Sequence, residues 1–142
     1  MKKKVLLAVD GSDYTKRMLA FLAAHDDLLA GEVHYAALTV IPRIPPHAAR
    51  FFSEADLATY YGDEAGKVLA PVQAFMQQKG WASEVKHRCG HAGDEVAAEA
   101  DSGKYDLVVL GSHGHGAVGS LVLGSVAARV LAKCGVPVLL VR

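Results

Sequence analysis

The chain has 142 residues, 51% of them apolar, and its 15 basic groups are matched by 15 acidic ones. That is one domain's worth of chain with enough apolar mass for a sizeable core. The balanced charge argues against nucleic acid or an anionic membrane as main partner, because phosphate-rich surfaces demand a local excess of Lys and Arg; the run Lys2, Lys3, Lys4 reads as a solvated terminus.

Residues 5–9 (Val-Leu-Leu-Ala-Val) form a short apolar run between Lys4 and Asp10-Gly11-Ser12, the pattern of a strand buried on both faces. The run is too short for a secretory signal or a membrane span. With only two cysteines, Cys89 and Cys134, the expectation is a reducing, cytoplasmic setting. Ser12 or Asp13 can cap a first helix whose apolar stripe is Met18, Leu19, Leu22, Leu28 and Leu29, with Gly31 ending it. Residues 32–41 read as a second strand, stopped by Pro42, Pro45 and Pro46, which open an irregular loop towards Gly62. Residues 53–79 are helical in pattern, but Gly62, Gly66 and Pro71 predict a break or kink. Residues 84–89 suit a short, polar edge strand. Gly93-Asp94-Glu95 opens a third helix with acidic residues where the helix dipole favours them. Residues 105–110 are a fourth strand, a helix capped by Ser125 runs to about Cys134, and residues 136–141 close the chain as a fifth strand. Strands alternating with helices predict an α/β fold, a parallel sheet with helices on both faces, in one domain spanning residues 1–142.

The stretch between the fourth strand and the last helix carries the chemistry. Gly111-Ser112-His113-Gly114-His115-Gly116 leads through residues 117–123 to Gly124-Ser125. It lies at the carboxyl edge of the sheet, where open α/β sheets bind ligands. Glycines let main-chain amides turn towards a ligand with no Cβ in the way, and the start of the last helix attracts an anion, with the Ser125 hydroxyl adding a donor. The phosphate loop G-x-x-x-x-G-K-[ST] is absent, and no G-x-G-x-x-G follows the first strand. Asp10 ends the first strand at the same edge. It is either a turn residue of Asp-Gly-Ser-Asp, or a partner for a ribose hydroxyl, a base amine or a phosphate-bound Mg²⁺.

Gly111-x2-Gly114-x9-Gly124-Ser125 resembles the ATP-binding signature of the universal stress protein family. Residues 5–12 and 135–141 look like that family's first strand and turn and its last strand, so the resemblance covers the whole chain. It implies a doubly wound, Rossmann-like five-stranded sheet in the order 3-2-1-4-5, and a homodimer through the C-terminal strand. It also implies contacts to ATP, or to ADP or AMP, from Asp10, the main chain at Val40, Gly111, Gly114, Gly124 and Ser125. The functional expectation is a nucleotide-dependent regulator in stress response. A slow ATPase or phosphoryl or nucleotidyl transferase, and a dimer scaffold with an empty site, remain open alternatives.

Histidines and cysteines invite a metal reading: Cys89, His91, His113 and His115 are ligand types for Zn²⁺. In that strand order the third and fourth strands are not neighbours, which argues against a shared site. Ser112, Ser120 and Ser125 have no evident general base, Ser12 and Thr15 look like helix-start residues, and no catalytic residue is expected.

Overall fold

The computed structural model describes residues 2–116 and 122–142. Five strands, β1 (Lys3–Ala8), β2 (Val33–Ile41), β3 (Ala82–Cys89), β4 (Leu107–Gly111) and β5 (Val138–Val141), form one sheet. All pairings are parallel, and the order is β3-β2-β1-β4-β5, as expected. Because side chains alternate across a strand, the buried run of β1 feeds two cores. Val5, Leu7 and Val9 pack with Met18, Leu22, Leu69 and Met76 on one face; Leu6 packs with Leu38, Val96, Val108, Leu110 and Val130 on the other. The first face is covered by α1 (Asp13–Ala24) and α3 (Glu54–Gln78), the second by α4 (Ala92–Ser102) and α5 (Ser125–Lys133). A one-turn helix, α2 (Pro46–Ala49), lies in the loop after β2.

Three local expectations are corrected. α1 stops at Ala24 and a 3-10 turn follows, so Leu28 leaves the apolar stripe and is 53% exposed. The His25 ring sits 4.3 Å from that of Phe21, with its Nδ1 at the Phe21 carbonyl, and Asp26 and Asp27 oppose the negative end of the helix dipole. α3 is one helix of 25 residues through Gly62, Gly66 and Pro71. It starts on a reciprocal Ser53–Asp56 capping box, and Ala65, Leu69, Val72 and Met76, spaced by helical turns, are all buried. Pro71 is exposed, so the carbonyl it leaves without a helical donor can turn to water, and both glycines face open space. β3 begins two residues earlier than expected, at Ala82, and pairs with β2 along its whole length.

The polarity of β3 has a structural reason. Lys86 Nζ and Arg88 Nη1 donate to Glu99 of α4 at 2.9 and 3.1 Å, and the Tyr105 hydroxyl donates to the same carboxylate at 3.0 Å. Glu99 is only 8% exposed. Burial pushes its pKa up, but the donors, Lys86 foremost, outweigh it and hold the carboxyl below its ordinary value. The ionised form therefore favours the fold above the unfolded carboxyl's pKa, and that contribution is lost as pH falls through the lower folded value. Glu99→Gln is expected to cost about 1–3 kcal/mol at neutral pH, because two partly buried cations lose their partner. The variant's urea midpoint should fall less steeply than that of the wild type on acidification.

Candidate functional site

β1, β2 and β4 end side by side at one edge, and the crossover direction reverses between β1 and β4, the place where doubly wound sheets open a crevice. A cavity of about 300 Å³ lies there, at the small end of ligand clefts. Asp10, Val40, Gly111, Gly114, Gly124 and Ser125, the six residues singled out from the sequence, all line it. Its floor is apolar, from Leu38, Val96, Leu110 and Ala127.

The Asp10 carboxylate is fixed by its own turn. Its Oδ1 accepts from the Ser12 amide at 2.9 Å and from the Thr15 hydroxyl at 2.9 Å, and Thr15 Oγ1 accepts in return from the Asp10 amide at 3.0 Å. Ser12 is also the N-cap of α1, its hydroxyl accepting from the Thr15 amide. Asp10 is thus both turn residue and cavity wall. Burial works to raise its pKa; the Ser12 and Thr15 hydrogen bonds, with a smaller electrostatic contribution from His115, overcome that and lower it. The site therefore presents an ionised carboxylate, one oxygen of which, Oδ2, has no hydrogen-bond donor among the described residues.

The last helix starts differently from the expectation. Gly124 is its N-cap and Ser125 its first helical residue, and no side chain caps it. α4 also begins without a side-chain cap. Ala92 of α4 and Ser125, Val126 and Ala127 of α5 line the cavity, so two helix N-termini with unclaimed amides open onto one space. Thr15 and the start of α4 were not among the candidates read from the sequence. Thr15 could have been found by its five-residue spacing from Asp10, but Ala92 carries no signal of its own.

The glycines also answer a steric demand of the chain itself. A Cβ on Gly111 would lie 2.7 Å from Tyr14 Cβ, one on Gly124 2.9 Å from His113 Cα, and one on Gly114 2.5 Å from Asp10 Oδ2. The missing side chains make room for protein, letting the loop after β4 fold against β1, α1 and the start of α5. A main-chain bond from Gly124 N to Ser112 O, 2.7 Å, closes that bend. Among the described residues of the loop, Gly116 alone needs the left-handed region, at φ +73°. Ser120 and the other residues of 117–121 lie outside the described residues.

Ser112, read from the sequence as lacking a base, has His113 Nδ1 3.0 Å from its Oγ. Ser112 is 5% exposed and is not on the cavity wall, so the pair orders the loop. His113 and His115 do reach the wall, and His115 Nε2 stands 2.7 Å from the main-chain oxygen of Asp10.

The model of the universal stress protein family matches residues 1–142. The chain belongs to this family. A universal stress protein of Thermus aquaticus is 35% identical over the full length of both chains. One of Synechocystis is 29% identical over 98% of this chain, which spans only 42% of that longer relative. Among solved structures, the universal stress protein of Archaeoglobus fulgidus in complex with dAMP shares the fold with a TM-score of 0.69 at 22% identity, covering 99% of this chain and 98% of that one. A family protein of Arabidopsis thaliana with AMP bound does so with a TM-score of 0.69 at 17% identity, covering 98% and 90%. The doubly wound architecture is therefore the family's own.

The close approach around the loop sets a prediction. Gly124→Ala drives a methyl against backbone atoms, His113 Cα at 2.9 Å and Ser112 O at 3.0 Å, and should cost about 1–3 kcal/mol in thermal or urea denaturation. Gly116→Ala meets open space and only the positive φ, and should cost about 1–2 kcal/mol.

Proposed function

We propose that this chain binds an adenine nucleotide in the cavity at the carboxyl edge of its sheet and acts as a nucleotide-dependent regulatory dimer in stress response. The observation that carries the reading is the pairing of an apolar floor with two uncapped helix N-termini on one wall. The floor suits a base, and exposed amides at helix starts suit phosphate. The nucleotides named with two structural neighbours, dAMP and AMP, are of this chemical class. In this reading Asp10 Oδ2 takes a ribose hydroxyl or base amine, the main chain at Val40 borders the base, the amides of Gly114 and Ser125 face the phosphates, and Gly111 and Gly124, whose own amide is held by the Ser112 carbonyl, shape the wall beside them. ATP, ADP and AMP all present the groups this requires.

Magnesium fits only alongside phosphate. Among the described residues no three His, Cys, Asp or Glu side chains gather to hold a metal. Asp10 supplies one available carboxylate oxygen, and Mg²⁺ is ordinarily held by one or two carboxylates together with substrate phosphates and water. When bound, the ion would neutralise phosphate charge next to Asp10.

β5 supports the dimer. Among the described residues it pairs only with β4, and it stands at the end of the sheet. The Pro137 and Val141 carbonyls accept from the Val108 and Ser112 amides of the β4 side. By alternation, Val138 and Leu140 direct their main-chain groups to the open edge, ready for a second copy. No described helix is long and apolar enough to cross a membrane, and the two cysteines form no disulfide, in keeping with the cytoplasm.

Two experiments test this reading. Calorimetric titration with AMP and with ATP plus Mg²⁺ should give saturable heat and a raised melting temperature. Gly114→Val, which puts atoms where Asp10 Oδ2 lies, should abolish both while circular dichroism stays native; a silent wild type would refute nucleotide binding. In light scattering the chain should run as a dimer, and Val138→Pro, at the tolerant first position of the edge strand, should yield folded monomer.

A further inference from the structure

The cavity wall carries no Lys or Arg among the described residues. Its ionisable side chains are Asp10 from the end of β1 and His113 and His115 from the loop after β4; β2, β4, α1, α4 and α5 contribute only uncharged groups. The nearest cations on α5, Arg129 and Lys133, are committed to Asp94 of α4 at 2.7 and 3.0 Å, with His91 3.8 Å from the same carboxylate group. A nucleotide phosphate brings about one to two negative charges to this wall. Main-chain amides offset part of that charge, while the Asp10 carboxylate opposes it. A proton on a histidine is the positive charge the wall can still gain.

The geometry of His115 determines where that proton goes. Its Nε2 lies 2.7 Å from the Asp10 carbonyl oxygen. A carbonyl only accepts, so Nε2 carries a hydrogen and the neutral ring keeps its lone pair on Nδ1. Nδ1 has no hydrogen-bond partner among the described residues, and the ring is exposed. His113 is differently placed: half-buried, its Nδ1 3.0 Å from Ser112 Oγ and its ring 5.2 Å from that of Tyr14.

We propose that His115 is the proton-linked phosphate partner of this site: binding a nucleotide's phosphate is coupled to uptake of a proton from solvent at His115 Nδ1. This rests on the nucleotide-binding reading above. Protonation leaves the Nε2 hydrogen on the Asp10 carbonyl, so the loop keeps its tie to β1 while the wall gains a charge. A bound anion favours the imidazolium, and linkage requires that protonation tighten phosphate binding in return. Histidine is the side chain whose charge ordinarily changes between about pH 5 and 8, so the coupling makes occupancy of the site rise as its surroundings acidify. The phosphate's own ionisation, near pH ~6, acts with the opposite sign, because preference for its dianion releases a proton.

The test is calorimetry of the full chain with AMP and with adenosine, near neutral pH, in two buffers of different ionisation heat. AMP should bind with net proton uptake and adenosine with none. His115→Gln, whose amide can still donate to the Asp10 carbonyl, should abolish the uptake and weaken AMP about 2–5-fold at acid pH. It should leave adenosine unaffected, and the AMP difference should close as pH rises. His115→Arg should bind AMP tightly at all pH values without taking up a proton. Nitrogen-15 spectra of the ligand-free protein at alkaline pH should show the Nε2–H tautomer at His115. An Nδ1–H tautomer, equal losses for AMP and adenosine in His115→Gln, or AMP binding without proton uptake would each overturn the proposal while leaving nucleotide binding standing. Binding of neither ligand by the wild type would remove both.

Discussion

Three pieces of main chain meet at the top of this sheet with almost nothing between them: the end of β1, the loop leaving β4, and the first turn of α5. The contacts a Cβ would make at Gly111, Gly114 and Gly124, all under 3.0 Å, measure how close that meeting is. A side chain at Gly111 or Gly124 would press on atoms at or next to the backbone and force the segments apart, while one at Gly114 would displace the Asp10 carboxylate. The site's existence thus depends on steric subtraction before it depends on any hydrogen bond or charge. Once the segments meet, the rest follows at short range: Thr15 and Ser12 fix the Asp10 carboxylate, Ser112 O receives the Gly124 amide, and α5 starts at the cavity wall without a side-chain cap.

That meeting needs a rigid base, which β1 supplies. It is central, paired on both sides, and its Val5, Leu6 and Leu7 are at most 1% exposed. Alternate residues reach separate cores under separate helix pairs, so β1 cannot shift or slip register without disturbing both. The Glu99 cluster plays a comparable part at the far edge, anchoring polar β3 beneath α4 with ionic hydrogen bonds instead of apolar contact. The two edges of the sheet are accordingly unlike: β3 is capped by charge, and β5 is left apolar and open.

Much of this was legible in the sequence. An apolar run flanked by charge and turn residues, as at residues 5–9, has few alternatives to a buried parallel strand, and strand–helix alternation restricts the topology severely. Five of the six wall residues, Asp10, Gly111, Gly114, Gly124 and Ser125, were legible because a strand-end carboxylate and spaced glycines before a helix start are local signals, whereas Val40 was reached only through the family resemblance. What was misread depended on tertiary surroundings. Gly62, Gly66 and Pro71 argue locally for a broken helix, yet burial of Ala65, Leu69, Val72 and Met76 outweighs these breakers, all of which face outward. Ser125 looks like a cap in isolation, but the main-chain bond from Gly124 to Ser112 moves the cap one residue back. The close packing that the glycines permit was not legible for the same reason, since a sequence cannot tell on which side of the chain the absent Cβ would fall. His115 was read as a weak metal candidate, because its partner is a carbonyl 105 residues away.

The chemistry of the wall also limits what kind of ligand site this is. A site with a lysine at its phosphates holds them with a permanent charge and shields them from small changes in the medium. Here a fixed carboxylate faces two histidines, and the remaining attraction comes from amides and helix ends, whose partial charges act only within the first turn. On the proposed reading, binding assembled from such parts would be adjustable: its strength would depend on protonation, on whether a divalent cation accompanies the phosphate, and on how closely the loop packs against β1. If the chain is the nucleotide-dependent regulator proposed above, a weakly charged cradle built from main chain suits it better than a strongly cationic one, because the cradle's occupancy can change when the surroundings do.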